Sequence, residues 1–314
     1  MDYGAGVADA GWVPLRVAWD EALYGAQGFY RRQRPADHFR TAPHVSRAFG
    51  AALAELARRH GFTSICDVGA GGGELLAEVH RQDPDLSLVG VEIRDRPEGL
   101  PKAIEWRHEL PSHCRGLVFA NELLDNVACD VVELDAEGTC RVVEVHQETG
   151  DERLGAEASA VQRQWVSCWW PLIGSGERAE VGLTREALWA TVCTANPSAL
   201  CVAVDYGHLV GARPFRGSLS SYRKGIQTPV TFDGRHDVTA HVAFDALAAA
   251  VGGQPVRQRQ LLTDLGVDAT RPLLDRATTD PTGYLRDLAA ASEAAELISV
   301  GGLGDFYWMV SPSR

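Results

Sequence analysis

Residues 62–92 constrain this chain more than any other stretch. Phe62-Thr63-Ser64-Ile65-Cys66-Asp67-Val68 reads as a short strand that stops in Gly69-Ala70-Gly71-Gly72-Gly73. Glu74, Leu75, Leu76 and Val79 then recur at helical spacing until Asp83-Pro84 breaks the helix. A second apolar run, Leu86-Ser87-Leu88-Val89-Gly90-Val91, ends at Glu92. Strand, glycine loop, helix and strand in about thirty residues form a βαβ unit, which predicts a parallel sheet with right-handed crossovers.

The flanking sequence extends that sheet. Residues 41–60 read as a helix: Thr41 can cap it, Pro43 fits its first turn, Phe49, Ala52, Leu53 and Leu56 share a face, and Gly61 ends it. Further strands are predicted at Ala103–Arg107, Leu117–Ala120, Leu200–Val204, Val256–Thr263 and Phe306–Val310. Between the fourth and fifth strands, Val131–Leu134 and Cys140–His146 flank Asp135-Ala136-Glu137-Gly138, a hairpin signal. Trp165, Trp169 and Trp170 follow, read as core or as partner surface. Asp205 to about Asp237, rich in Gly, Arg, Ser and Pro, reads as a long loop. The expected fold is a doubly wound α/β sheet: an N-terminal helical cap over 1–60, then a sheet domain over 61–314 with insertions at about 127–182 and 205–237.

Charge and composition exclude several roles. Thirty basic against 42 acidic residues leave a net charge of −12, so general nucleic-acid binding is not expected. The one basic cluster, Arg31-Arg32-Gln33-Arg34, reads as a solvated loop. No apolar run approaches the ~18–20 residues of a membrane span. The first residues lack the basic and apolar regions of a secretory signal, so a cytoplasmic location is expected. Seven cysteines, an odd number without a C-x-x-C pair, predict neither a disulfide framework nor a metal site.

A glycine turn between a first strand and its helix lets backbone come close to a ligand, since no Cβ intervenes. The dinucleotide fingerprint G-x-G-x-x-G fails in both registers: the sixth position is Glu74 counted from Gly69 and Leu76 counted from Gly71. What stands there is Asp67-x-Gly69-x-Gly71-x-Gly73, with Glu92 following 25 residues after Asp67. This pattern resembles motif I of class I S-adenosylmethionine-dependent methyltransferases. The resemblance implies that Asp67, Gly69, Gly71 and Gly73 wrap the methionine and ribose of S-adenosyl-L-methionine, and that Glu92 binds the ribose hydroxyls, as a carboxylate can. The plainer alternative is a tight structural turn beside a solvated Glu92.

Further motifs narrow the resemblance. Gly28-Phe29-Tyr30, Phe39-Arg40-Thr41-Ala42-Pro43-His44 and Phe49-Gly50 resemble the N-terminal signature of the MidA family. Asn121-Glu122-Leu123-Leu124-Asp125, Asp205-Tyr206-Gly207, Gly217-Ser218-Leu219 with Tyr222-Arg223, and Asp237-Val238-Thr239-Ala240-His241-Val242-x-Phe244 match its later landmarks in order. The family includes mitochondrial complex I assembly methyltransferases, whose best-understood members methylate an arginine of a complex I subunit. The resemblance implies a class I fold with a seven-stranded, mostly parallel sheet, and places Asn121 with the cofactor-binding residues. Three positions depart from the pattern: His38 replaces an acidic residue, Lys224-Gly225 replaces a basic-histidine pair, and Asp67 replaces the commoner glutamate. The first two fall where substrate would be read.

Methyl transfer from a sulfonium is an in-line displacement, so positioning and charge should supply most of the catalysis. Glu122 and Asp125 follow the fourth strand; three residues apart in a helical turn, they would share a face and suit a cationic guanidinium acceptor. Alternatively, Glu122 starts a helix and Asp125 is solvated. His241, four residues after Asp237, would share a face with it if a helix begins there, giving a carboxylate-oriented base. Equally, Asp237 caps that helix and His241 is packed. Thr41, Tyr206 and Tyr222 are candidates for the acceptor pocket. The leading expectation is a methyltransferase acting on a protein side chain such as arginine. The alternatives are a small-molecule N- or O-methyltransferase, or a cofactor-binding assembly factor without turnover. A homodimer is compatible with the sequence.

Overall fold

The computed structural model describes residues 11–33, 47–110 and 112–311. They form two compact units. One comprises the described residues up to Gln33, Asp125–Leu188 and His208–Leu247; the other holds the rest. The helices Leu183–Ala195 and Phe244–Val251 each span one of the boundaries.

The second unit is built on a seven-stranded sheet. Its strands are β1 (Ser64–Val68), β2 (Ser87–Val91), β3 (Ile104–Arg107), β4 (Leu117–Asn121), β5 (Leu200–Asp205), β6 (Gln254–Arg257) and β7 (Tyr307–Ser311). Their spatial order is β3-β2-β1-β4-β5-β7-β6. Only β7 runs against the others, antiparallel to both β5 and β6. The order reverses between β1 and β4, so the carboxyl ends of these two neighbours form the switch point at which open α/β sheets bind ligands. This is the predicted mostly parallel α/β sheet.

Apolar spacing places the helices. α1 (Arg47–Arg59) buries Phe49, Ala52, Leu53, Leu56 and Ala57, and α2 (Glu74–Gln82) buries Leu75, Leu76 and Val79. Phe49, Phe119 and Trp308 meet edge-on or tilted, with ring centroids 5.5–6.2 Å apart, at the centre of this core. Each such pair adds about 0.5–1.5 kcal/mol beyond area burial. Thr41 and the Phe39–His44 signature lie outside the described residues.

One strand expectation fails here. Val256–Thr263 was expected to be all strand, but β6 ends at Arg257 and Gln258–Asp264 is helical. Gln258, Leu262 and Leu265 are buried at i, i+4 and i+7, a helical period that outweighs the β-like look of Leu261-Leu262-Thr263. Gln258 fixes the turn: its side chain accepts from Trp308 Nε1 at 3.0 Å and donates to Leu297 O at 3.1 Å.

The first unit is largely antiparallel. Trp12–Pro14, Cys140–His146, Asp130–Leu134 and Arg178–Val181 pair in that order, with Glu152–Glu157 added to Cys140–His146. The expected hairpin is present, and Asp135 shapes its turn by accepting from Thr139 N at 2.7 Å and Glu137 N at 3.0 Å. Trp165 and Trp170 are core, packed with Val132, Val166, Ala179 and Val181. Asp205–Asp237, expected as a long loop, instead contains Ser220–Arg223 and Ile226–Thr228, a hairpin joined to Asp237–Thr239. Lys224 and Gly225 have φ of 50° and 74°, the left-handed pair that a two-residue turn requires. Among the described residues no helix is long and apolar enough to cross a membrane.

Candidate active site

The loop after β1 takes its shape from its alternate glycines. Gly69, Gly71 and Gly73 have φ of 78°, 59° and 77°, where residues with a Cβ are strained. Gly69 N and Ala70 N donate to Val91 O at 2.9 and 3.1 Å, tying the loop to the end of β2. A Cβ on Gly69 would come within 2.9 Å of Leu123, and one on Gly73 within 2.7 Å of Leu100. One on Gly71 would face open space, with only Glu74 Oε2 as near as 4.0 Å. Gly71 is therefore where the backbone is open to a ligand.

Acids surround this opening. Glu92 Oε2 accepts from Gly71 N at 2.9 Å, and its Oε1 accepts from Arg94 N at 3.3 Å. Asp67 is 3% exposed. Burial, and then the charges of Glu92 and Glu74, push its carboxyl up to about 7. A cation bound here would relieve that repulsion.

At the end of the neighbouring β4, Asn121 Nδ2 donates to Glu122 Oε1 at 2.9 Å, while Asn121 Oδ1 is buried without a hydrogen-bond partner among the described residues. Glu122 adopts φ of 51°, and its N–H donates to Val204 O at 2.8 Å. A non-glycine residue here stores about 1–3 kcal/mol of strain, a cost that clusters at functional sites. Asp205 Oδ2 accepts from Leu124 N at 3.0 Å and its Oδ1 from Tyr206 N at 2.9 Å; the Tyr206 ring lies 5.4 Å from that of Phe306. The open backbone at Gly71, the orphaned oxygen of Asn121 and the carboxylates of Asp67, Glu74 and Glu92 fit a cationic nucleoside such as S-adenosyl-L-methionine.

The other candidates lie in the first unit. No helix begins at Asn121 or at Asp237, so both shared-face expectations are corrected. Asp125 follows an irregular segment, and Asp237–Thr239 is a strand, the next helix starting at Phe244. Asp237 is no helix cap: it lies in a strand, and its Oδ1 accepts from Tyr30 Oη at 3.0 Å and from Asn126 Nδ2 at 3.1 Å. Nor is Asp125 solvated; its Oδ2 accepts from Thr239 Oγ1 at 2.6 Å in a buried setting. Tyr222 is half-buried on its strand opposite Asp237. His241 is exposed as a whole residue, but desolvation of its ring and then the Arg185 charge lower its pKa, which favours the neutral imidazole.

Sequence reasoning missed two groups. Arg185, inside a helix, donates to three backbone carbonyls, and buried Glu180 accepts from Ser218 N and Leu219 N at 2.7 and 3.1 Å. His208 is buried between Arg213 and Trp170; burial, and then Arg213, lower its pKa to about 3. Only the Gly217-Ser218-Leu219 landmark hinted at the first group.

Solved structures share this fold. A Burkholderia thailandensis protein bound to S-adenosyl-homocysteine superposes with a TM-score of 0.77 at 23% identity, over 96% of this chain and 88% of that one. The native structure of an uncharacterised protein from the same organism gives 0.76 at 24% identity over the same shares. No curated protein matches the chain. The model of a family of S-adenosyl-L-methionine-dependent methyltransferases matches residues 45–260, more than half the length, as the motifs implied, and the chain belongs to that family.

Proposed function

We propose that this methyltransferase acts on a cationic protein side chain, an arginine guanidinium before others. The observation that carries this reading is Glu122. It is held in a strained left-handed conformation at the carboxyl end of β4, the strand next to the glycine loop's own strand. A carboxylate fixed there suits a planar, permanently charged acceptor.

The bound cofactor supplies an electrophilic methyl on a sulfonium. Gly69, Gly71 and Gly73 would bring backbone against it, Glu92 would accept from its ribose hydroxyls, and Asp67 and Asn121 would complete its shell. Glu122 balances the acceptor's charge, while Asp125 and His241 are the further acceptor-side residues. Thr41, Tyr206 and Tyr222 are the further candidates for acceptor binding. Transfer of that methyl to an acceptor nitrogen would leave the acceptor with a proton to lose. A neutral His241 can take it. A small-molecule amine or hydroxyl acceptor, whose proton the same imidazole would take, is the second reading.

Tritiated S-adenosyl-L-methionine added to cell extract with the enzyme separates the two. Label in protein, recovered as methylarginine after hydrolysis, supports the first reading. Label confined to small molecules overturns it in favour of the second.

A further inference from the structure

Asp125–Val127 and Ala240-His241 lie in neither helix nor strand, so no ladder fixes them. Both meet at one guanidinium. Arg185 is 2% exposed. Its Nε donates to Val127 O at 3.1 Å, its Nη1 to His241 O at 2.8 Å and its Nη2 to Asp125 O at 2.8 Å. Its guanidinium carbon lies 5.7 Å from the centroid of Trp19, whose Nε1 donates to Val238 O at 2.9 Å. The two segments also bond each other, Ala240 N donating to Asp125 O at 3.1 Å.

His241 is gripped from its other side too. Its N–H donates to Ser218 Oγ at 2.9 Å, and that hydroxyl donates to Glu180 Oε2 at 3.2 Å. Thus one buried cation holds the carbonyl of His241 and one buried anion, through Ser218, holds its N–H. Burying a guanidinium costs desolvation that an apolar residue would avoid. What the charge secures is geometry, because a planar fork with donors in fixed directions sets the spacing of three carbonyls at once.

We propose that Arg185 is a positioning residue for methyl transfer, setting the placement of Asp125 and His241 through their backbone carbonyls. The inference rests on the acceptor-side reading of those two residues. Arg185 itself touches neither acceptor nor cofactor in this scheme.

The test uses the full chain as Arg185→Gln, Arg185→Lys and Ser218→Ala. Calorimetry with S-adenosyl-homocysteine counts binding-competent molecules. Transfer of tritiated methyl to extract acceptors is measured per competent molecule, and the His241 ring is followed by 1H–13C correlation, its signal assigned with His241→Asn. In Arg185→Gln, transfer should fall by on the order of 10²-fold, the scale for a 1 Å misplacement, with cofactor affinity unchanged and the His241 signal shifted or broadened. Arg185→Lys should recover transfer only in part, since an ammonium cannot match three in-plane donors. Ser218→Ala, which keeps the cation, should lower transfer about fivefold, the worth of one neutral hydrogen bond; if Arg185→Gln binds no ligand, Arg185→Lys decides the matter. Normal transfer per competent molecule overturns the proposal. So does an unchanged His241 signal, which is readable even if the wild type labels nothing, the result that would sink the acceptor reading alone.

Discussion

Replacing Asp67 with Asn should change how stability depends on pH. Asp67 is buried on β1, and burial followed by the charges of Glu92 and Glu74 pushes its carboxyl up to about 7, against ~3.9 in an unfolded chain. Between those values the folded protein binds a proton that the unfolded chain has released. Stability therefore falls as pH rises through this window. At ~1.36 kcal/mol per unit over roughly three units, the ionised carboxylate costs about 4 kcal/mol above pH 7. Asparagine has nearly the same shape and does not titrate at all. Relative to wild type, Asp67→Asn should match it near pH 4 and exceed it by a few kcal/mol at pH 8, or on the order of 10 °C in Tm for a chain this size. Other carboxylates, such as Glu55 beside Arg58 and Arg59, have lowered pKa values and slope the opposite way. They are common to both proteins, so the difference isolates Asp67. Circular dichroism melts of ligand-free wild type and variant from pH 4.5 to 8.5 measure it. Two Tm curves that run parallel across the window would refute the reasoning, because they would mean that Asp67 is already charged, or already compensated, in the fold.

Three further outcomes follow from the site. Gly71→Ala should greatly weaken cofactor binding, whereas Gly61→Ala, also at positive φ (68°) with open space around its Cβ, should carry the same backbone strain and bind normally; calorimetry that ranks the two alike would detach the loop from the ligand. Glu92→Ala should cost about 1–3 kcal/mol of cofactor affinity, the range for hydrogen bonds to a charged group, again read by calorimetry. Glu122→Gln should lower turnover by at least ~10²-fold, as when one preorganised electrostatic contact is lost, while cofactor affinity shifts by less than ~1 kcal/mol; near-normal turnover would point to a neutral acceptor.

The amino-acid sequence alone determined most of the sheet and the glycine loop. Strand period, helical period and glycine punctuation are local signals, and the βαβ unit from Phe62 to Glu92 carries all three within one stretch. Parallel pairing of β1 with β2 and a close-approach backbone at Gly71 follow from that order of elements, whereas the place of β4 beside β1, which makes the switch point, does not. Only the tertiary structure decided the duties of the polar motif residues. Asp237 looked like a partner for His241 four positions away, yet it is held by Tyr30 and Asn126, 207 and 111 positions away in sequence. Arg185 carried no motif or period of its own and came to hold Asp125 and His241 from 60 and 56 residues off. The reason is physical. A buried polar group must find a partner wherever the fold brings one, and a hydrogen bond closed across a hundred residues leaves no periodic trace in the chain that makes it.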